Sequence, residues 1–371
     1  MTSTADETLT RLRRLRRLLG RRGLDALLVT QPENRRYLSG FRAKDHGIQE
    51  SAGSLLVPLR GAPLLLTDSR FTLEAQTEAP AFRVELYRHG RLALLRRLLA
   101  DLGIRRLGVE GDYTLYATAL KLQALATQLD LELLPVSGLV EGLRAIKSEG
   151  EIERLRRAVH LNETVFQQAL ATIKPGMRED EVARLIENLM GEHGAEGPSF
   201  PTIVAGGENA AKPHAVPGAR AIRADEPLLI DMGLILDGYC ADMTRTVVLG
   251  TPDKTFLSRQ RLVRQAQLAA CAVIRAGLSC READLAARCV LDQAGLGQAF
   301  GHSLGHGVGL AVHEEPRLNS RNRRQLKAGM VVTVEPGVYL PGWGGIRLEN
   351  MAVVREDGCE ILNLDTTMLD S

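Results

Sequence analysis

Leu228-Leu-Ile-Asp231-Met-Gly-Leu-Ile-Leu-Asp-Gly-Tyr239-Cys-Ala-Asp242-Met-Thr-Arg245 holds two apolar, strand-like runs, and each carries an aspartate. A charge buried in such a run without a partner is costly and tends to neutralise rather than stay ionised. Three more groups of the same kind follow: His306 in Gly-His-Gly-Val-Gly, Glu335 in Val-Thr-Val-Glu-Pro-Gly and Glu349 in Gly-Ile-Arg-Leu-Glu-Asn. The four acids carry about −4, too much for one divalent ion and suited to a pair sharing a hydroxide. Oxygen ligands with one imidazole suit Mn, Co or Zn better than a thiolate-seeking ion. Two such ions ~3.5–4 Å apart lower the pKa of a bridging water and stabilise an oxyanion, so hydrolysis is the reaction class to expect.

Around these acids the periodicity predicts strands at 228–236, 239–249, 330–339 and 345–354, separated by helices at 255–276 and 281–294. That order suggests an antiparallel or mixed sheet with helices packed on one face. Upstream the pattern alternates. A leucine-bearing helix at 11–19 precedes strands at 24–30, 54–57, 63–67, 82–87, 106–110 and 131–135, with helices from Ser69, at 92–102 and at 116–128. This predicts an α/β layered domain. The pattern breaks over 136–150, apart from a short helix at 139–146, and long helices are expected at 151–173 and 179–193. The boundary therefore falls near residue 147, giving domains 1–146 and 147–371.

Composition narrows the function classes. At 371 residues the chain exceeds one ordinary core. A net charge of +2 gives no general pull toward nucleic acid. The five cysteines are odd in number and form no Cys-x-x-Cys pair, which argues against a disulfide framework or a thiolate zinc site and suits a reducing cytoplasm. No apolar stretch approaches the ~20 residues of a membrane span, and no secretory signal is expected. Leu12, Leu15, Leu18 and Leu19 recur at helical spacing between arginines, the pattern of an amphipathic helix with a solvated basic face.

The words around the acids add to this reading. Asp-Met-Gly, Asp-Met-Thr-Arg-Thr, Gly-His-Gly-Val-Gly-Leu-Ala-Val-His-Glu-Glu-Pro, Val-Glu-Pro-Gly-Val-Tyr and Ile-Arg-Leu-Glu-Asn, in this order, closely resemble the prolidase and aminopeptidase P family of pita-bread metallopeptidases. Leu24-Asp-Ala-Leu-Leu-Val-Thr and Pro32-Glu-Asn-Arg-Arg-Tyr-Leu-Ser-Gly-Phe are similar to the family's creatinase-like N-terminal domain. The resemblance implies an α/β creatinase-like domain followed by an α+β pita-bread catalytic domain, with two divalent metal ions, Mn foremost. It implies that Asp231 chelates one ion, that Asp242 and Glu349 bridge both, and that His306 and Glu335 complete the second. A bridging hydroxide would attack the peptide carbonyl while Glu335 shuttles the proton. His214 in Lys-Pro-His-Ala-Val-Pro and His313 in Val-His-Glu match residues that contact substrate and its tetrahedral intermediate. His302 is expected to line the substrate pocket, and Tyr339 to lie either in the core or near the metals. A homodimer is implied too, in which the polar segment 42–50 would reach over the partner's active site.

Rival readings are weaker. Gly301-His-Ser303-Leu-Gly305 fits the Gly-x-Ser-x-Gly elbow of serine esterases, but no β-rich run precedes it and glycines follow it. No acid stands between Ser303 and His313, the last histidine, so the Ser, acid, His order fails as well. Gly295-Leu-Gly-Gln-Ala-Phe-Gly301 has one residue too many for a dinucleotide fingerprint. A non-catalytic binding module of the same fold would have lost metal ligands, and this chain retains all five. Methionine aminopeptidases share the ligands but lack the ~145 leading residues, and creatinase shares the plan but lacks the ligands. Between a dipeptidase and an aminopeptidase acting on longer peptides, Arg317 in His313-Glu-Glu-Pro-Arg317 favours the first. It resembles the prolidase clamp for the carboxylate of a C-terminal proline, which a guanidinium fork holds in a bidentate way.

Overall fold

The arginine-rich segment forms α1 (Thr4–Arg22) of the computed structural model, which describes residues 4–364. Leu12, Leu15 and Leu19 are buried and the arginines face outward or pack along the rim. Contacts divide the chain into two units between Arg144 and Ala145.

In the first unit six strands make one sheet: β1 (Ala26–Val29), β2 (Ser54–Pro58), β3 (Leu64–Thr67), β4 (Arg83–Leu86), β5 (Arg106–Glu110) and β6 (Glu132–Val136). Their order is β4-β3-β2-β1-β5-β6. β1, β5 and β6 run parallel, as do β3 and β4, while β2 is antiparallel to both its neighbours. The helices are α2 (Pro32–Ser39), α3 (Thr72–Glu78), α4 (Arg91–Asp101), α5 (Tyr116–Gln128) and the short α6 (Glu141–Arg144). The periodicity missed α2, although its punctuation is present. Pro32 stands in its first turn, and Gly40 closes it at φ 84°, a left-handed conformation that glycine adopts without a Cβ penalty.

The second unit opens on α7 (Glu149–Thr172), two residues earlier than the apolar pattern suggests. The reason is a capping box: Ser148 Oγ accepts from the Glu151 amide, and the Glu151 carboxylate accepts from the Ser148 amide. α8 (Glu179–Glu192), α9 (Lys254–Val273) and α10 (Cys280–Gln293) complete the helices.

The four expected acid-bearing strands are each broken. After β7 (Gly197–Pro198) and β8 (Ile203–Gly206), the first run divides at Gly233 into β9 (Pro227–Met232) and β10 (Leu234–Leu236). The second divides at Asp242 into β11 (Tyr239–Cys240) and β12 (Met243–Val248). Past β13 (Gly305–Gly307) and β14 (Glu314–Leu318), the third divides at Glu335 into β15 (Val331–Val334) and β16 (Gly337–Leu340). The fourth divides at Glu349 into β17 (Gly344–Arg347) and β18 (Asn350–Val354), followed by β19 (Cys359–Ile361). The sheets are β12-β9-β8, β11-β10-β7, β14-β13-β15-β18-β19 and the pair β16-β17, all antiparallel.

The helices do not share one face, as the element order suggested. Val331, Met351 and Val353 pack into a core with Leu155 and Phe166 of α7 and Ile186 of α8. Their neighbours Val332, Ala352 and Val354 pack into another with Val263 of α9 and Leu291 of α10. Alternate residues of a strand point to opposite faces, so β15 and β18 carry a helix pair on each.

Candidate metal centre

At two of the breaks the backbone leaves its own strand and pairs with a distant segment. The Glu335 amide donates to the Leu304 carbonyl at 2.8 Å, and the Glu349 amide donates to the Thr244 carbonyl at 3.1 Å. Asp231 lies two residues before its break, on β9 opposite Thr244 of β12. His306 is flanked by glycines for a steric reason. A Cβ on Gly305 would meet the Thr333 carbonyl oxygen at 2.0 Å, and one on Gly307 would meet that of Glu315 at 2.2 Å. Only glycine lets β15 and β14 close on the two sides of His306.

Asp242, His306 and Glu349 are buried and offer ligand atoms within 4.8 Å of one another. The imidazole tautomer is set by the chain. His306 Nδ1 lies 3.1 Å from the Gly307 carbonyl, which can only accept, so Nδ1 carries the hydrogen and Nε2 presents a lone pair. That nitrogen sits 3.3 Å from Glu335 Oε1 and 3.6 Å from Asp242 Oδ2. Burial, and then the neighbouring His313, lower its pKa to about 3, so no proton on Nε2 joins these atoms near neutrality. Asp231 Oδ1 and Glu349 Oε1 are buried without any hydrogen-bond partner. Lone pairs converging on shared space, with two oxygens unsatisfied, fit a divalent cation and no neutral ligand.

One buried cation belongs to the chain itself. Arg347 donates through its terminal nitrogens to Asp231 Oδ2 at 2.5 Å and to the Tyr339 hydroxyl at 2.7 Å, and through Nε to Thr244 Oγ1 at 3.0 Å. Thr244 in turn donates to Glu349 Oε2 at 2.6 Å. Thr333 Oγ1 accepts from the His306 amide and donates to Glu335 Oε1, both at 3.0 Å. Sequence reasoning missed Arg347, Thr244 and Thr333, although a signal was available. Thr244 follows Asp242 by two residues, Thr333 precedes Glu335 by two and Arg347 precedes Glu349 by two, the spacing that shares a strand face.

The remaining predicted residues surround this cluster unevenly. His302 Nε2 accepts from the Tyr339 hydroxyl at 2.8 Å while its Nδ1 donates to the Ser303 carbonyl. Tyr339 is thereby held between His302 and Arg347 beside the acids, and burial pushes its hydroxyl up to about 12. His313 packs edge-on against the His306 ring, with centroids 4.4 Å apart. His214 is exposed and lies near enough to interact with both His302 and His313. Arg317 stands opposite His306 across the β13–β14 pair. It is exposed, and its guanidinium makes no hydrogen bond or ion pair among the described residues. Ser303 precedes a strand rather than a helix and follows a 3₁₀ turn, Gly297–Ala299, and a loop rather than a strand. The nucleophile elbow is absent there.

Burial raises the pKa of Asp242, Glu349 and Glu335 above the ordinary carboxylate range, with mutual repulsion among the acids adding to it. Glu335 reaches about 7 against an ordinary 4.5. A carboxyl whose folded pKa is raised contributes stability below its unfolded pKa and loses it as pH climbs through the folded value. The melting temperature of the chelator-treated protein should therefore fall by several degrees between pH 5 and pH 8. Excess divalent ion should remove that slope, because a cation favours the ionised acids. Scanning calorimetry of both forms checks this, and a chelated form that gains stability with pH would contradict it.

Residues 153–356 match the family model of metallopeptidase family M24, and residues 11–146 match that of the creatinase/prolidase N-terminal domain. An uncharacterized peptidase of Bacillus subtilis, YqhT, is 37% identical over 348 residues, 94% of this chain and 96% of that protein. Among solved structures, an Xaa-Pro dipeptidase from Bacillus anthracis superposes with a TM-score of 0.90 at 35% identity, covering 96% of this chain and 98% of that one. An X-Pro aminopeptidase from Thermotoga maritima superposes at 0.86 with 34% identity, covering 95% and 98%. The expected fold holds in both halves, and the buried acids lie in the half that the peptidase match spans: the chain belongs to metallopeptidase family M24, a pita-bread peptidase with a creatinase/prolidase N-terminal domain ahead of its catalytic one.

Proposed function

We propose that this peptidase is an Xaa-Pro dipeptidase that uses two divalent ions, Mn in the first place and Co or Zn as alternatives. Residues 147–371 would be its catalytic domain and residues 1–146 its creatinase-like domain. Asp231, Asp242, His306, Glu335 and Glu349 would hold the ions. The charge balance supports a pair. Four acids less Arg347 leave about −3, more than one divalent ion offsets. When bound, the ions supply Lewis-acid charge and a water of lowered pKa.

The chain's own groups do the rest. Arg347 fixes Asp231 and Tyr339 from behind, so the acids keep their orientation as a peptide enters. Glu335, at the position the family resemblance gives to the proton shuttle, would take a proton and pass it to the departing amine. His313 has its pKa lowered by burial and then by Arg317, so it is neutral near pH 7 and able to hydrogen-bond the peptide carbonyl oxygen. His214 approaches from the loop before β9 in the same role, and His302 with Tyr339 forms the wall of the proline pocket. The five cysteines are free, and no helix among the described residues is long and apolar enough to cross a membrane. These features support a cytoplasmic setting, and the family resemblance supports a homodimer with segment 42–50 over the partner's site.

The observation that carries the dipeptidase reading is the unpartnered, exposed Arg317 across from His306. A guanidinium there meets the free carboxylate of a C-terminal proline and has no counterpart in a longer peptide. The likeness to an X-Pro aminopeptidase from Thermotoga maritima favours the second reading, cleavage of longer Xaa-Pro-Xaa peptides. Kinetics decide between them. Dipeptides should be cleaved at least roughly tenfold more efficiently than matching tripeptides, since each ~1.4 kcal/mol is a factor of ten. Arg317→Ala should narrow that gap by harming dipeptide cleavage. Equal or better cleavage of Xaa-Pro-Xaa would replace the dipeptidase by the aminopeptidase.

A further inference from the structure

The N-terminal unit holds a cavity of about 320 Å³ whose lining includes none of the candidate metal ligands or substrate-contacting residues. Its floor is aliphatic, made by the buried Leu28 of β1, Leu66 of β3, Leu95 of α4 and Leu122 of α5. Its outer wall is basic. His89, Arg91 and Lys121 line it, none with a side-chain hydrogen bond or ion pair among the described residues, and no aspartate or glutamate lines the cavity.

The position adds to that polarity. Thr30, just past the carboxyl end of β1, lines the cavity, and the first turns of α4 and α5 open onto it. The carboxyl ends of parallel strands are where open α/β sheets place ligands. Gly90 and Leu115 stand at the two helix starts, and neither supplies a side-chain cap. First-turn amides then add partial positive charge to the three basic side chains.

Unpaired cations above an aliphatic floor select a ligand with one anionic head and an apolar body. A free amino acid or a dipeptide is a poor occupant, because its ammonium would find no acid in the wall. The volume lies at the small end of ligand cavities, which range over about 300–1,000 Å³. We propose that this cavity is a binding site for a small aliphatic carboxylate, its head at the Arg91, Lys121 and His89 mouth and its chain on the leucine floor.

The probe is octanoate, titrated calorimetrically into the full-length, metal-loaded protein beside octan-1-ol and octylammonium. Octanoate should saturate one site per chain, and the uncharged and cationic analogues should bind at least roughly tenfold more weakly, a difference of ~1.4 kcal/mol. The double variant Arg91→Glu/Lys121→Glu should weaken octanoate at least tenfold while melting temperature and Xaa-Pro cleavage stay unchanged. Both positions are on the surface side, and an acid in the first turn of α4 favours the helix. Absence of saturation, octan-1-ol binding as tightly as octanoate, or undiminished octanoate binding by the double variant, as carboxylate capture at the metals would give, each overturns the proposal.

Discussion

Asp242→Ala is expected to lose both metal ions and, with them, activity to below roughly a thousandth of the parent, since electrostatic stabilisation of an oxyanion alone is worth about 10²–10³. The residue sits at the break between β11 and β12, buried, with Oδ2 3.6 Å from His306 Nε2 and its charge felt together with those of Asp231, Glu335 and Glu349. On the proposed reading an acid placed among all the others would serve both ions, so its removal should affect each. The variant should remain folded, because the change deletes a carboxylate that burial disfavours and leaves the strand pairing of β12 intact. Mass-spectrometric metal content and circular dichroism on the purified variant check both halves of this. Retention of one ion at full occupancy would move Asp242 out of the bridging role.

His313→Ala and His214→Ala carry the second large effect and the opposite signature. Turnover should fall roughly a hundredfold in each, the scale for one proton-transfer group or oxyanion donor, while metal content stays near that of the parent. His313 packs edge-on against the His306 ring and is not among the residues whose ligand atoms cluster there, and His214 is exposed on the loop before β9. If the two act on the substrate rather than on the ions, as proposed, the loss should lie mainly in kcat. Loss of metal from both variants would mean that these histidines hold the ions.

Much of this site was legible because its chemistry is written in short words. Gly-His-Gly, Val-Glu-Pro-Gly and Asp-Met-Thr-Arg each combine a candidate ligand with neighbours that have a local physical cause, such as the glycines that let β14 and β15 close around His306. The strand breaks were not legible. Apolar alternation runs straight through Asp242, Glu335 and Glu349, and at two of these breaks the backbone bonds to a residue far away in the chain, Leu304 for Glu335 and Thr244 for Glu349. Arg347 was passed over because an arginine in an apolar run has no local pattern of its own. Its partners Asp231, Tyr339 and Thr244 converge only in the folded chain. The −4 of the acids is accordingly offset in part by Arg347, which donates to Asp231. α2 was missed for a different reason, since its eight residues are too few for a periodic signal to outweigh its polar composition.

The most direct test of the account is a titration of divalent ion into the chelator-stripped protein while proline release from an Xaa-Pro dipeptide is followed. The stripped protein should be inactive, and Mn should restore cleavage to a plateau as occupancy approaches two ions per chain. Proline release that persists in the stripped protein, or a plateau reached at one ion per chain with no second ion bound, would contradict it.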